Sequence, residues 1–124
     1  RKNSPNANLR FLLSLLFCIL AFMSILPIIN QLFEMQARMK EKGIAEEFDR
    51  NFRRLFNMFE EEGYMIQDPT GETYSETRTD YEASIAGRIS SKLKIVRTIK
   101  PIIYQQKDGT ISLLQKGVVI AEEK

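Results

Sequence analysis

FLLSLLFCILAFMSILPIINQLF, residues 11 to 33, contains no charged side chain, and nothing else in the chain restricts its folding as much. The run is 23 residues long, and about 20 helical residues cross a bilayer core. Arg10 and Glu34 bracket it. It is longer than the apolar region of a secretory leader, and its end, LPIINQLFEM, offers no small-x-small cleavage site. The expectation is a single transmembrane helix over residues 11 to 33. Pro27 should kink it near Met23, because proline lacks an N–H and crowds the carbonyl four residues back. Asn30 and Gln31 read as interfacial polar residues. Basic residues lie on both sides: Arg1, Lys2 and Arg10 before the run, and Arg38, Lys40, Lys42, Arg50 and Arg53 after it. The positive-inside rule then puts the C-terminal part of a single-pass membrane protein in the cytoplasm.

The rest of the composition narrows the chemistry. The chain has 124 residues, enough for one small domain and an appendage. Its net charge of +2 makes no case for a nucleic-acid partner. There is no histidine, so the commonest general base and any Ser-His or Cys-His nucleophile are missing. Cys18 is the only cysteine. It can form neither an internal disulfide nor a cysteine cluster for a metal, and in an apolar run it serves as a small hydrophobe. No glycine-rich phosphate loop is present. Carboxylates gather at Glu60, Glu61 and Glu62 and again at Asp68, Glu72, Asp80 and Glu82. Consecutive glutamates on a helix point in different directions and are normally solvated, and Asp68 reads as a turn cap. No enzymatic activity, cofactor or metal is expected.

Residues 1 to 10 read as an N-terminal tail, and residues 34 to 63 as an amphipathic helix with a break near Gly43. Beyond the break, Ile44, Phe48, Phe52, Leu55 and Phe59 recur at steps of four, four, three and four, which keeps them on one helical face. Phe56 and Met58 widen this stripe, and Arg50, Arg53 and Arg54 lie opposite. So wide an aromatic stripe on a small soluble part points to a protein interface, with copies of itself or with other subunits. Gly63 suits the position just past the helix end. Residues 64 to 91 read as a polar loop that opens with a turn at Asp68, Pro69, Thr70 and Gly71. Residues 92 to 124 carry β-formers in short runs, with Pro101 at an edge or bulge and a hairpin turn at Lys107, Asp108 and Gly109. The fold class is therefore α+β: a transmembrane helix, an amphipathic helix and a small antiparallel β unit.

EEEGYMIQDPTGETY, residues 60 to 74, resembles the segment of GrpE proteins in which a helix runs into a Gly-x-x-x-Ile-Asp-Pro-x-Gly-Glu-x-Phe-like stretch. DYEA, residues 80 to 83, sits where that family has a His-Glu-Ala element, and a β unit containing LQKG follows in both. The resemblance spans about 60% of the chain, residues 48 to 123. It implies a β domain like that of GrpE and a partner of the DnaK type, whose nucleotide exchange such proteins promote by binding an open state. On the β unit, Arg97, Lys107, Asp108 and Gly109 would then be the contact residues. Two functions follow from these readings. The favoured one is a non-enzymatic accessory subunit of a membrane complex that uses a GrpE-like domain for assembly. The alternative is a membrane-tethered exchange factor or co-chaperone.

Overall fold

The computed structural model describes residues 5–123, and the side chains of residues 5 to 7 and 17 to 24 are not among what it describes. Two helices and six strands occur among the described residues: α1 Pro5–Glu41, α2 Ala45–Glu61, β1 Tyr64–Gln67, β2 Tyr81–Ala86, β3 Leu93–Lys100, β4 Ile102–Lys107, β5 Thr110–Gln115 and β6 Gly117–Glu123. The chain divides after Gln31 into an N-terminal unit, which is the first part of α1, and a second unit from Leu32 onward.

The N-terminal expectation needs correcting. In place of a tail over residues 1 to 10 and a transmembrane helix over 11 to 33, the chain forms one 37-residue helix from Pro5. Among the described residues, no helix is long and apolar enough to cross a membrane. The apolar character is not sustained along the element: Pro27, Asn30 and Gln31 are followed on the same helix by Glu34, Arg38 and Lys40. The single-pass topology and the cytoplasmic placement built on it fall with the span. Cys18 and the kink expected near Met23 lie where the side chains are outside the described residues.

α1 stops because its last turn is closed by a glycine. Gly43 has φ +74°. Its N–H donates to the Lys40 carbonyl at 3.1 Å, and the Ile44 N–H donates to the Met39 carbonyl at 3.0 Å. This pair of bonds satisfies carbonyls that a helix end otherwise leaves orphaned, and the left-handed residue it needs is easiest for glycine. Gly63 ends α2 in the same manner at φ +95°, its N–H donating to the Glu60 carbonyl at 2.9 Å.

The six strands form two three-stranded sheets, ordered β1-β4-β5 and β2-β6-β3. Only Pro101 separates β3 from β4, and only Lys116 separates β5 from β6. The C-terminal part is therefore one long hairpin bent in the middle, with the β3/β6 half in one sheet and the β4/β5 half in the other. The bend falls at Pro101, which has no N–H to give to a ladder. Its carbonyl is satisfied by the Gln115 side-chain amide at 2.9 Å. On the returning strand, Gly117 leaves no room for a side chain: a Cβ there would stand 2.8 Å from Ile102 Cγ1 and 3.3 Å from the Lys100 carbonyl oxygen.

Two further expectations change. The segment read as a polar loop, residues 64 to 91, contains β1 and β2. The β unit is also not wholly antiparallel, because β2 runs parallel to β6, with Tyr81 opposite Gly117 and Ala86 opposite Glu122. YEASIA is poor in β-formers, so its strand state comes from pairing with β6 rather than from local preference. The core between the sheets is built from Tyr81, Ile95, Ile102 and Val119, with Tyr74, Ala83 and Tyr104 packed against it. On the other side, α2 packs on β1, and Phe52 on the helix and Tyr64 on the strand are both buried.

Candidate interaction surface

The β4–β5 hairpin is closed by Asp108 at φ +53° and Gly109 at φ +78°. Two successive left-handed residues make the turn whose twist matches that of paired strands, and Asp-Gly is a favoured sequence for it. Such a two-residue turn makes Lys107 and Thr110 the closing hydrogen-bonded pair. Backbone groups alternate in direction along a strand. Thr110 and Ser112 therefore bond to β4, while Ile111 and Leu113 aim their N–H and C=O groups at the open side. β5 is an edge strand, and no other strand lies beyond it among the described residues.

The side chains on this arm follow from register. Met65 is opposite Tyr104, and Tyr104 is opposite Leu113, so the three form a row on one face of the sheet. Ile111 lies one step further out, opposite Gln106. Ile111 is 56% exposed and Leu113 is 40% exposed. The register shift between Ile103 and Tyr104 leaves Leu114 as an extra residue on β5, a bulge that ends regular pairing just before the bend.

A polar cluster anchors the middle of the row. The Tyr104 hydroxyl donates to Asp80 Oδ2 at 2.9 Å. The Arg78 guanidinium grips the same carboxylate with Nε at 3.0 Å from Oδ1 and a terminal nitrogen at 2.6 Å from Oδ2. Its other terminal nitrogen reaches Glu72 at 2.9 Å, and its plane lies 4.9 Å from the centre of the Tyr81 ring. The Tyr81 hydroxyl accepts the Ser75 N–H at 2.9 Å. Fork geometry and charge make the Arg78–Asp80 pair the strong one of the set. The Arg78 hydrogen bonds, with help from Tyr104, hold the Asp80 carboxyl below its ordinary value. Burial first, and then the bond to Asp80, pushes the Tyr104 hydroxyl up. Its bonds to Asp80 hold the Arg78 guanidinium ever more firmly in its charged form. The cluster closes the segment from Glu72 to Tyr81 onto the sheet and holds Tyr104 in place, giving the apolar row a rigid base.

The residues singled out from sequence distribute unevenly around this arm. Lys107, Asp108 and Gly109 form its exposed tip. Arg97 is exposed on β3, in the other sheet, where it lines an open groove of about 370 Å³ with Phe33, Ala37, Lys40, Asp68 and Ile99. The α2 stripe is split. Phe52 is 4% exposed, and Leu55 and Phe59 are half-buried, so this part of the stripe covers the protein's own sheet. Ile44 and Phe48, 41% and 38% exposed, remain at the surface. Asp68 accepts the Thr70 N–H at 3.0 Å and its hydroxyl at 2.7 Å, a local turn bond. Among the described residues, no group of three or more His, Cys, Asp or Glu side chains is placed to hold a metal. Ile111, Leu113, Tyr104 and Arg78 were not singled out by sequence reasoning, and Asp80 was named only among the carboxylates and within DYEA. The signal for the first two was present: an Asp-Gly turn followed by alternating Ile and Leu with no charge or proline.

No family model, curated protein or solved structure matches the chain. Nothing in these comparisons supports the resemblance to GrpE proteins, and the co-chaperone role that rested on it is set aside. Tyr81, within the DYEA stretch, is a buried core residue, 5% exposed.

Proposed function

We propose that this chain acts by binding rather than by chemistry, as an assembly module that holds a protein partner on its β4–β5 arm. One observation carries the reading: among the described residues, no strand pairs with the outer side of β5, the side to which Ile111 and Leu113 turn their backbone groups, and both expose large apolar side chains. A strand in this state can be extended by an incoming strand, whose main chain supplies hydrogen bonds while the apolar row supplies contact area. The other edges are less suited. Gly71 donates to the Ile95 carbonyl at 2.7 Å, Ile95 to the Glu72 carbonyl at 2.9 Å and Tyr74 to the Leu93 carbonyl at 2.9 Å, so the first half of β3 is covered. Its second half carries two register shifts, which twist an edge away from pairing. β1 has only four residues and lies under α2, and β2 presents Glu82 to solvent.

The test is site-specific photo-cross-linking in cells, with the reactive side chain at position 113 and a control at the exposed Glu82 of the other sheet. A discrete protein adduct at 113 and none at 82 is the expected result. Equal labelling at both sites, or none at either, removes the reading.

A further inference from the structure

The free edge of β5 also fits a particular occupant. We infer that two copies of this chain join through antiparallel pairing of their β5 strands, centred on Ser112, to give one continuous six-stranded sheet. This inference rests on the assembly reading above and narrows the partner to a second copy.

The register follows from which backbone groups are free. Ile111 and Leu113 point their N–H and C=O groups outward, so both must sit in hydrogen-bonded pairs across a new interface. A two-fold axis allows this where Ile111 of one copy is opposite Leu113 of the other. That choice places Ser112 opposite Ser112 in the intervening pair without hydrogen bonds. It also brings the two exposed apolar residues of each strand into one four-residue patch on the shared face. The same register carries the Asp108 turn of each copy towards the Lys116 end of its mate, so that Asp108 approaches the opposite charge of Lys116 while Lys107 stands one strand further in, at the end of β4. TISLLQ has no charged residue and no proline, two of the devices by which edge strands repel their own copies, and its bulge at Leu114 lies outside the Ile111–Leu113 stretch that forms the pairs.

The full chain carrying Ser112→Cys in a Cys18→Ser background tests the register under mild oxidation. The two cysteines would have Cα atoms about 4.5 Å apart, within disulfide reach. Thr110→Cys is the control. In this register position 110 faces position 114, so two cysteines at 110 stand roughly 13 Å apart along the strands, too far to bridge. A disulfide dimer as the main product at 112, several-fold above that at 110, is the expected result. Adding Leu113→Lys should abolish it. No dimer at 112, or equal yields at 112 and 110, would overturn the inference. Should Ser112→Cys fail to show the parent far-UV spectrum, mixing Ile111→Cys with Leu113→Cys reads the same register. These positions face each other about 5.5 Å apart, so the mixed dimer must exceed either homodimer, and its failure to do so is equally fatal. The two proposals separate cleanly. A photo-adduct at position 113 to a different protein, without a cysteine dimer, leaves the assembly reading standing and sinks the second copy. No adduct at all sinks both.

Discussion

Replacing Gly63 by alanine tests how the helix is joined to the β sheet. Gly63 sits at φ +95°, past the end of α2. Its carbonyl accepts the Gln106 N–H at 2.8 Å, and a Cβ at this position would stand 2.6 Å from the Gln106 carbonyl oxygen. Two costs therefore add. An L side chain in left-handed backbone costs roughly 1–2 kcal/mol. Forcing an atom into filled space costs roughly 1–3 kcal/mol, and the obstacle here is backbone, which cannot rotate away. The sum is about 2–5 kcal/mol, a large part of the roughly 5–15 kcal/mol that holds a domain folded. Gly87 provides the control: its φ is +84°, but a Cβ there meets nothing within 4 Å. Gly87→Ala should show the backbone cost alone. Denaturant unfolding followed by far-UV circular dichroism measures both variants. Gly63→Ala should lose about 1–3 kcal/mol more than Gly87→Ala with an unchanged denaturant slope. Equal losses would refute the close approach of β4 to the end of α2.

Three further outcomes are expected. Phe52→Ala should cost about 3–5 kcal/mol, because its side chain is buried, and Phe48→Ala clearly less; equal losses in thermal melts would mean that the α2 stripe is not divided between core and surface. Asp80→Asn should cost about 1–3 kcal/mol at neutral pH, as the charge-assisted bonds to Arg78 and Tyr104 weaken. The pH dependence has a definite sign. The folded-state pKa of Asp80 is lowered, so its contribution is complete above an ordinary carboxylate pKa of about 4 and disappears as the pH falls through the depressed value. The gap between parent and Asp80→Asn should therefore close in acid, and a gap independent of pH between 7 and about 2 would contradict the ionic origin. Gly109→Ala, at φ +78° with open space around it, should cost roughly 1–2 kcal/mol and leave the Ser112→Cys cross-link intact in the molecules that remain folded.

What could be read directly from sequence was local. Gly43, Gly63 and the Asp108–Gly109 turn are legible because a backbone angle that few residues tolerate is met by the residue that tolerates it. The periodicity of Phe48, Phe52, Leu55 and Phe59 likewise marks one helical face, whatever that face meets. Pairing decided the rest. Nothing in YEASIA announces a strand, and it becomes one because β6 lies beside it. Whether Phe52 faces a partner or its own sheet depends on where β1 lies. The Arg78–Asp80–Tyr104 cluster joins residues up to 26 positions apart, and spacing along the chain does not betray it. The apolar run over residues 11 to 33 shows the limit most clearly: its lack of charge is a property of sequence, but the helix it joins extends to Glu41 and takes polar residues with it. Likewise, that Ile111 and Leu113 are free at an edge follows only from the strand order, since an alternating strand reads the same with neighbours on both sides as with one.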